Sequence, residues 1–254
     1  MKTYAFGVVI FAISLAANAA APADPWTLVP ALPNECYGQQ DDFDQVLATR
    51  IETLSAEISR QEQLNDQFDD RVDALDPQEK QHRIMDYMMK NPQEATKAMQ
   101  SAGSEAAETH HAEQEGEREQ SQALAGLFAR YDAALKTATD PIIAKRNKIS
   151  AIGSDPEFEV LSRQLDQEYE KLCPQWWKGG PFRTWLAGYR AFLIQGIPAR
   201  EEREATGNAH YAMFGISAAN YRSTVKMEAV KKYLMSMTEL YGRRHDQPFW
   251  NSPR

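Results

Sequence analysis

The sequence is short of most of what local chemistry needs. It holds two cysteines and five histidines in 254 residues, which excludes a multi-cysteine zinc site and a disulfide-dense scaffold. There is no His-Glu-x-x-His pair, no serine in a nucleophile elbow and no Gly-rich phosphate loop. Strict apolar/polar alternation is also missing, so a half-buried sheet is not encoded. Beyond the first 20 residues no apolar run reaches about 18 residues, so no later segment is built to span a bilayer. These gaps leave an all-α fold and no cofactor chemistry written in a motif.

What is present begins with an address. Lys2 precedes the apolar run Tyr4 to Ala17, which is short for a membrane span, and Ala17-Asn18-Ala19 supplies a small-x-small cleavage site. Residues 1–19 therefore read as a secretory signal peptide, and the expectation is a periplasmic or secreted protein with no stable membrane insertion after cleavage. No cysteine lies near the cut, which argues against a lipid anchor. In an oxidising compartment Cys36 and Cys173 are expected to bond to each other; closing so long a loop contributes about 4–5 kcal/mol in the chain-entropy model.

Charge is divided unevenly. The net formal charge is −8; Asp41 to Gln120 carries 8 Lys/Arg against 20 Asp/Glu, and Ser121 to Arg254 carries 19 against 14. Arg222, Lys226, Lys231 and Lys232 form a small basic patch, but the acidic total and the export signal exclude nucleic acid as a partner.

The helical pattern is strongest from Phe43 to Leu75. Ile51, Ile58, Asn65 and Val72 fall on one heptad position and Leu47, Leu54, Gln61, Phe68 and Leu75 on the other, a seam with a 3.5-residue repeat and a polar middle. So narrow a stripe needs a partner helix. Before it, residues 20–40 form a Pro/Ala-rich extended arm that Trp26 and Leu28 could pin to the body. After it, Asp76-Pro77-Gln78-Glu79 is a stop and restart with Glu79 completing a capping box, and Asn91-Pro92-Gln93-Glu94 repeats the signal. A short tip helix over 78–90 follows, bearing Ile84 and the candidate binding residues Met85, Met88 and Met89. Grouped methionines either plug an irregular core or form an adaptable contact surface. The next helix, Pro92 to Thr139, is apolar at both ends and polar from Thr109 to Gln122. Laid antiparallel on the first, it brings Leu47 to Leu127 and Phe43 to Tyr131, so residues 41–139 are expected to form a long coiled-coil hairpin.

Residues 140–254 are expected to form a compact C-terminal helical domain. Asp140-Pro141 reads as a break or kink, Ser154-Asp155-Pro156-Glu157 as a helix start, and Cys173-Pro174 as its end. Trp176, Trp177, Phe182, Trp185, Tyr189 and Phe192 then crowd a Gly179-Gly180-Pro181 turn. A helix from Pro181 ends near Gly196 and Pro198, and the last runs from about Ser217 to Tyr241, capped by Gly242. These aromatics either fill a core or, at Trp176 and Trp177, floor a groove that stacks on a sugar or peptide, with Trp185 the third candidate binding residue.

Titratable clusters are few. Glu79/His82 and Glu108/His111 share the Glu-x-x-His spacing of di-iron bundles, but chance supplies about 0.4 such pairs and Glu79 is needed as a cap; no metal or cofactor is assigned. His111, Glu113, Glu115 and Glu117 read as a loose acidic cluster able to hold a metal ion only weakly, and Glu201, Glu202, Glu204 and His210 as a solvated helix face. With no catalytic residue assigned, the functional expectation is a non-enzymatic, exported envelope protein, an adaptor or chaperone-like scaffold, that presents the methionine-rich hairpin tip or its acidic flank to another envelope protein. The alternatives are an inhibitor or immunity protein for a secreted enzyme, and a carboxylate- or metal-dependent hydrolase. The hydrolase requires a pocket at Trp176, Trp177 and Trp185 into which two acidic groups converge.

Overall fold

The computed structural model describes residues 24–33, 40–93, 96, 105–149, 156–207 and 219–245. Among these there is no strand, and the fold is all-α. Among the described residues a 3-10 turn, Pro25–Leu28, precedes the helices α1 (Gln40–Asp73), α2 (Pro77–Lys90), α3 (Glu105–Arg146), α4 (Pro156–Trp176), α5 (Pro181–Gly207) and α6 (Ala219–His245). The signal segment, Cys36 and His210 lie outside the described residues. None of the described helices is long and apolar enough to cross a membrane.

Ring contacts fix how the helices run. Near the start of α1, Phe43 meets Tyr241 near the end of α6 at 4.5 Å between centroids, and the two helices lie along one another. That combination is possible only if they are antiparallel. With equal rise, α1 from Phe43 to about residue 65 covers the described length of α6, and its last two turns run past the start of α6. α5 is antiparallel to α6 as well: Tyr189 hydrogen-bonds Ser236 through its side chain, and Lys226 stands 3.8 Å from Glu201.

α3 is the spine. Arg146 lies over the Phe158 ring at 5.3 Å and Tyr131 meets Trp176 at 5.5 Å, so α4 returns along the C-terminal half of α3. After the turn at residues 177–180, α5 continues in the same direction along the N-terminal half, with Phe182 at 5.4 Å from Phe128 and the Trp185 Nε1–H donating to the Gln120 carbonyl at 3.1 Å. One buried core therefore draws Leu47 and Leu54 from α1, Leu127 and Phe128 from α3, Leu186 and Leu193 from α5, and Val230 and Leu234 from α6. Each fully buried aliphatic side chain contributes about 1.5–3 kcal/mol of transfer free energy.

The pairing expected for α1 is not the one the structure makes. Its main neighbour is α6, not the helix that includes Leu127 and Tyr131; α1 and α3 share the core without lying along each other. A heptad stripe states the width of the face to be buried but not which apolar helix will bury it, and the stripe of α6, with Val225, Val230, Leu234 and Met237 buried, is the more apolar. The polar middle of the stripe also lacks its expected facing layer. Gln61 donates from Nε2 to Glu57 on its own helix at 3.0 Å, while Gln61 Oε1 and Asn65 Oδ1 have no hydrogen-bond partner among the described residues.

Pro174 and Pro198, expected to end helices, do not, and Pro141, expected to break or kink one, does not end it. α3 runs through Pro141, α4 through Pro174 and α5 through Pro198. Each helix goes on because residues past the proline are held by packing: Arg146 on Phe158, Trp177 and Trp176 on Phe182, and buried Arg200. Beyond Pro174 the ladder is still in place, the amide of Lys178 donating to the Pro174 carbonyl at 2.9 Å. Gly242 likewise lies inside α6 and does not cap it.

The N-terminal arm is pinned at Trp26, which sits between Arg190 of α5, 5.0 Å from its ring, and Tyr233 of α6 at 5.7 Å. Leu28 packs on the core, and Arg183 Nη2 donates to the Pro33 carbonyl at 2.6 Å. Cys173 is buried in the last turn of α4 and is not a free thiol.

Candidate functional site

α2 is well specified locally and nearly uncovered. The Asp76 carboxylate accepts from the Gln78 amide at 2.7 Å, and Pro77 occupies the first turn, where a missing N–H costs nothing. Glu79 does not complete a capping box. It pairs with Arg83 at 2.6 Å, as Asp86 does with Lys90 at 2.7 Å, while Lys80 reaches back to Asp73 at 3.2 Å. The polar face is thus neutralised within the helix and its entry turn. On the other face Ile84, Tyr87 and Met88 are half-buried, whereas Met85 is 54% and Met89 73% exposed. None of the helix's residues is buried, and α2 has no extended packing against another described helix.

The three tryptophans expected to floor one groove are divided. Trp177 is core, in contact with Phe182 at 5.1 Å and Tyr241 at 6.3 Å. Trp176 is half-buried between Tyr131 and Phe182. Trp185 faces outward in part: one face stacks on Tyr189 at 5.0 Å with a 13° interplanar angle, and its indole N–H is tied to Gln120. Trp185 alone of the three lines a solvent-open channel of about 720 Å³ between α3 and the corner where α4 passes into α5. Ala123, Leu127 and Arg130 form one wall. Gln175, the turn Gly179–Pro181, Thr184 and Trp185 form the other. Gly179 takes φ +67°, a backbone conformation that favours glycine, in the tight turn after which α5 continues along the same spine. The lining carries one charged group, Arg130, and no carboxylate, so a two-acid hydrolytic arrangement is not assembled there.

The acidic residues of α3 split by face. Glu113 and Glu117 turn toward α5 and α6. Glu113 is 2.8 Å from Arg200 Nε and accepts from Arg203 Nη1 at 2.9 Å, and Glu117 pairs with Lys232. His111 and Glu115 turn the other way, 3.8 Å apart. Tyr189 borders this layer; burial pushes its hydroxyl above the ordinary value, against the lowering effect of its bond to Ser236. Among the described residues no group of three His, Cys, Asp or Glu converges as a metal site. Arg200 and Arg203 were not singled out by sequence reasoning, and Lys232 was read only as part of a small basic patch. The signal that could have found them is the i, i+4 spacing of Glu113 and Glu117 inside an otherwise solvated stretch.

No family model, no curated protein and no solved structure matches the chain.

Proposed function

We propose that this is a non-enzymatic, exported protein-binding or scaffolding protein of the cell envelope, which presents α2 to a second envelope protein. The observation that supports this is the methionine face of α2: capped and ion-paired so that it is ordered, yet with Met85 and Met89 left in water. Unbranched thioether side chains adapt to an irregular apolar partner surface, and an ordered helix loses little entropy on docking. Export is carried by the signal segment 1–19, and a Cys36–Cys173 bridge would staple the arm to the end of α4. The partner chemistry is an apolar groove or helix stripe able to take Ile84, Met85, Met88 and Met89.

The test compares the chain from residue 20 with the same chain carrying Met85→Ser, Met88→Ser and Met89→Ser. Envelope extract should yield one stoichiometric partner, and the purified partner should bind the triple variant at least about tenfold more weakly, a loss of about 1.4 kcal/mol or more. Equal affinity of the two chains for that partner would overturn the reading.

A further inference from the structure

The corner groove is physically separate from α2 and has its own chemistry. Its two walls are helical stripes. Ala123, Leu127 and Arg130 lie at i, i+4 and i+7 of α3, and Pro181, Thr184 and Trp185 at i, i+3 and i+4 of α5. The antiparallel register puts the ring and the charge at opposite ends, because Trp185 is level with Gln120 while Arg130 is ten positions further along α3. That is roughly 15 Å of helix axis. Both side chains line the same groove, so they bridge part of that span from its two ends.

Both ends are prepared for a ligand. Trp185 is clamped by Tyr189 on one face and by its hydrogen bond to Gln120, so the part left to line the groove is a fixed apolar platform. Arg130 is exposed and has no ion-pair or hydrogen-bond partner among the described residues. A guanidinium forks onto a carboxylate with two parallel hydrogen bonds. Between the two ends the floor is Ala123 and Leu127, with the Gln175 amide and Thr184 hydroxyl at the side. The volume, about 720 Å³, lies in the range of small-ligand sites.

We infer that this groove binds a carboxylate joined by a short spacer to a flat apolar ring, with Arg130 holding the carboxylate and Trp185 the ring. Two sources share that chemistry: the C-terminal residue of a peptide, and a free aryl-alkanoic acid.

The experiment titrates the full chain from residue 20 with N-acetylphenylalanine, which mimics a peptide terminus, and with 4-phenylbutyrate, which lacks the amide; the neutral amide of each is the control. Binding is read from the Trp185 indole N–H signal in nitrogen-15 spectra, identified by its loss in Trp185→Phe. Saturable shifts are expected for the acids, with at least tenfold weaker binding of the amides and of both acids to Arg130→Gln. Ala123→Tyr, which fills the groove from an exposed position, should abolish the response. Tighter binding of N-acetylphenylalanine marks the peptide source, and equal or tighter binding of 4-phenylbutyrate marks the free acid. No saturation up to about 10 mM, about the weakest affinity such a titration can read, would overturn the inference. So would amides binding as well as acids, or undiminished binding to Arg130→Gln.

Discussion

Phe43, in the first turn of α1, and Tyr241, in the penultimate turn of α6, hold their rings 4.5 Å apart at an interplanar angle of 48°. This contact joins positions almost 200 residues apart and sets the direction of α1 in the body. Aromatic pairs at this distance contribute about 0.5–1.5 kcal/mol beyond their buried area. A double-mutant cycle of Phe43→Leu and Tyr241→Leu, followed by urea denaturation, should return a coupling energy in that range. The cycle of Phe43→Leu with Tyr131→Leu should return less than about 0.5 kcal/mol, the noise of additivity for residues not in contact. The opposite ranking would restore a hairpin between α1 and α3.

That contrast shows how far the sequence reaches. The heptad stripe of α1 is legible, and Leu47, Leu54 and Ile58 are buried where it puts them. The partner is not legible, since any sufficiently apolar stripe satisfies the same pattern and α6 competes with α3 from far along the chain. The Asp76 cap is legible because it is local. Pro141, Pro174 and Pro198 mislead because the missing hydrogen bond is a cost of about 3 kcal/mol that packing on either side can exceed. At the candidate sites, the methionines of α2 are visible as a group, but their exposure depends on what the rest of the chain leaves uncovered. Trp185 is separated from Trp176 and Trp177 by geometry alone, and Arg130, the groove's charge, carries no local signal at all.

Two glycines of α3 should respond oppositely to alanine. At Gly126 a Cβ would meet nothing within 4 Å, so Gly126→Ala should stabilise by about 0.5–1 kcal/mol through helix propensity. At Gly116 a Cβ would stand 2.6 Å and 2.9 Å from atoms of the Phe192 ring. Phe192 stacks on Tyr189, which stacks on Trp185, so the ring cannot retreat without moving a ladder of three aromatics. The clash costs about 1–3 kcal/mol and should outweigh the same propensity gain. Thermal denaturation of the two variants side by side tests this, and stabilisation by both would show that the helices can part.

Stability should fall in alkali for a local reason. Burial raises the phenol pKa of both Tyr189 and Tyr233 above the ordinary 10.0. A raised folded-state value means the unfolded chain gives up its proton first. The stabilising contribution is therefore complete below about pH 10 and is lost as pH rises through the folded-state values. Tyr233→Phe, with no ionisable group, should show a shallower loss of unfolding free energy between about pH 9 and about pH 11. A slope identical to that of the parent chain would mean that Tyr233 ionises without unfolding.

Glu113 is the counter-charge for Arg200, which is only 6% exposed, and for Arg203. Removing it strands a guanidinium in the body. Glu113→Ala should cost about 3–5 kcal/mol, whereas Glu79→Ala, which breaks the solvent-exposed pair with Arg83, should cost under about 1 kcal/mol. Replacing both members, Glu113→Leu with Arg200→Met, should recover most of the loss, because desolvation of the ions disappears along with their attraction. Urea midpoints across the four proteins decide it; a double variant as unstable as Glu113→Ala would assign the loss to packing.

The methionines divide into two populations that a stability measurement separates without knowledge of any partner. Met237 is 1% exposed within the core, so Met237→Ala should cost about 2–5 kcal/mol, the range for truncating a buried side chain. Met85→Ser and Met89→Ser remove groups already in water and should shift stability by no more than about 0.5 kcal/mol each. A large loss at Met89 would mean that α2 is held by the chain's own packing and is not free to dock. A null effect there, joined to weaker partner binding by the triple serine variant, would place the methionines at an interface, because only the docked state would register their removal.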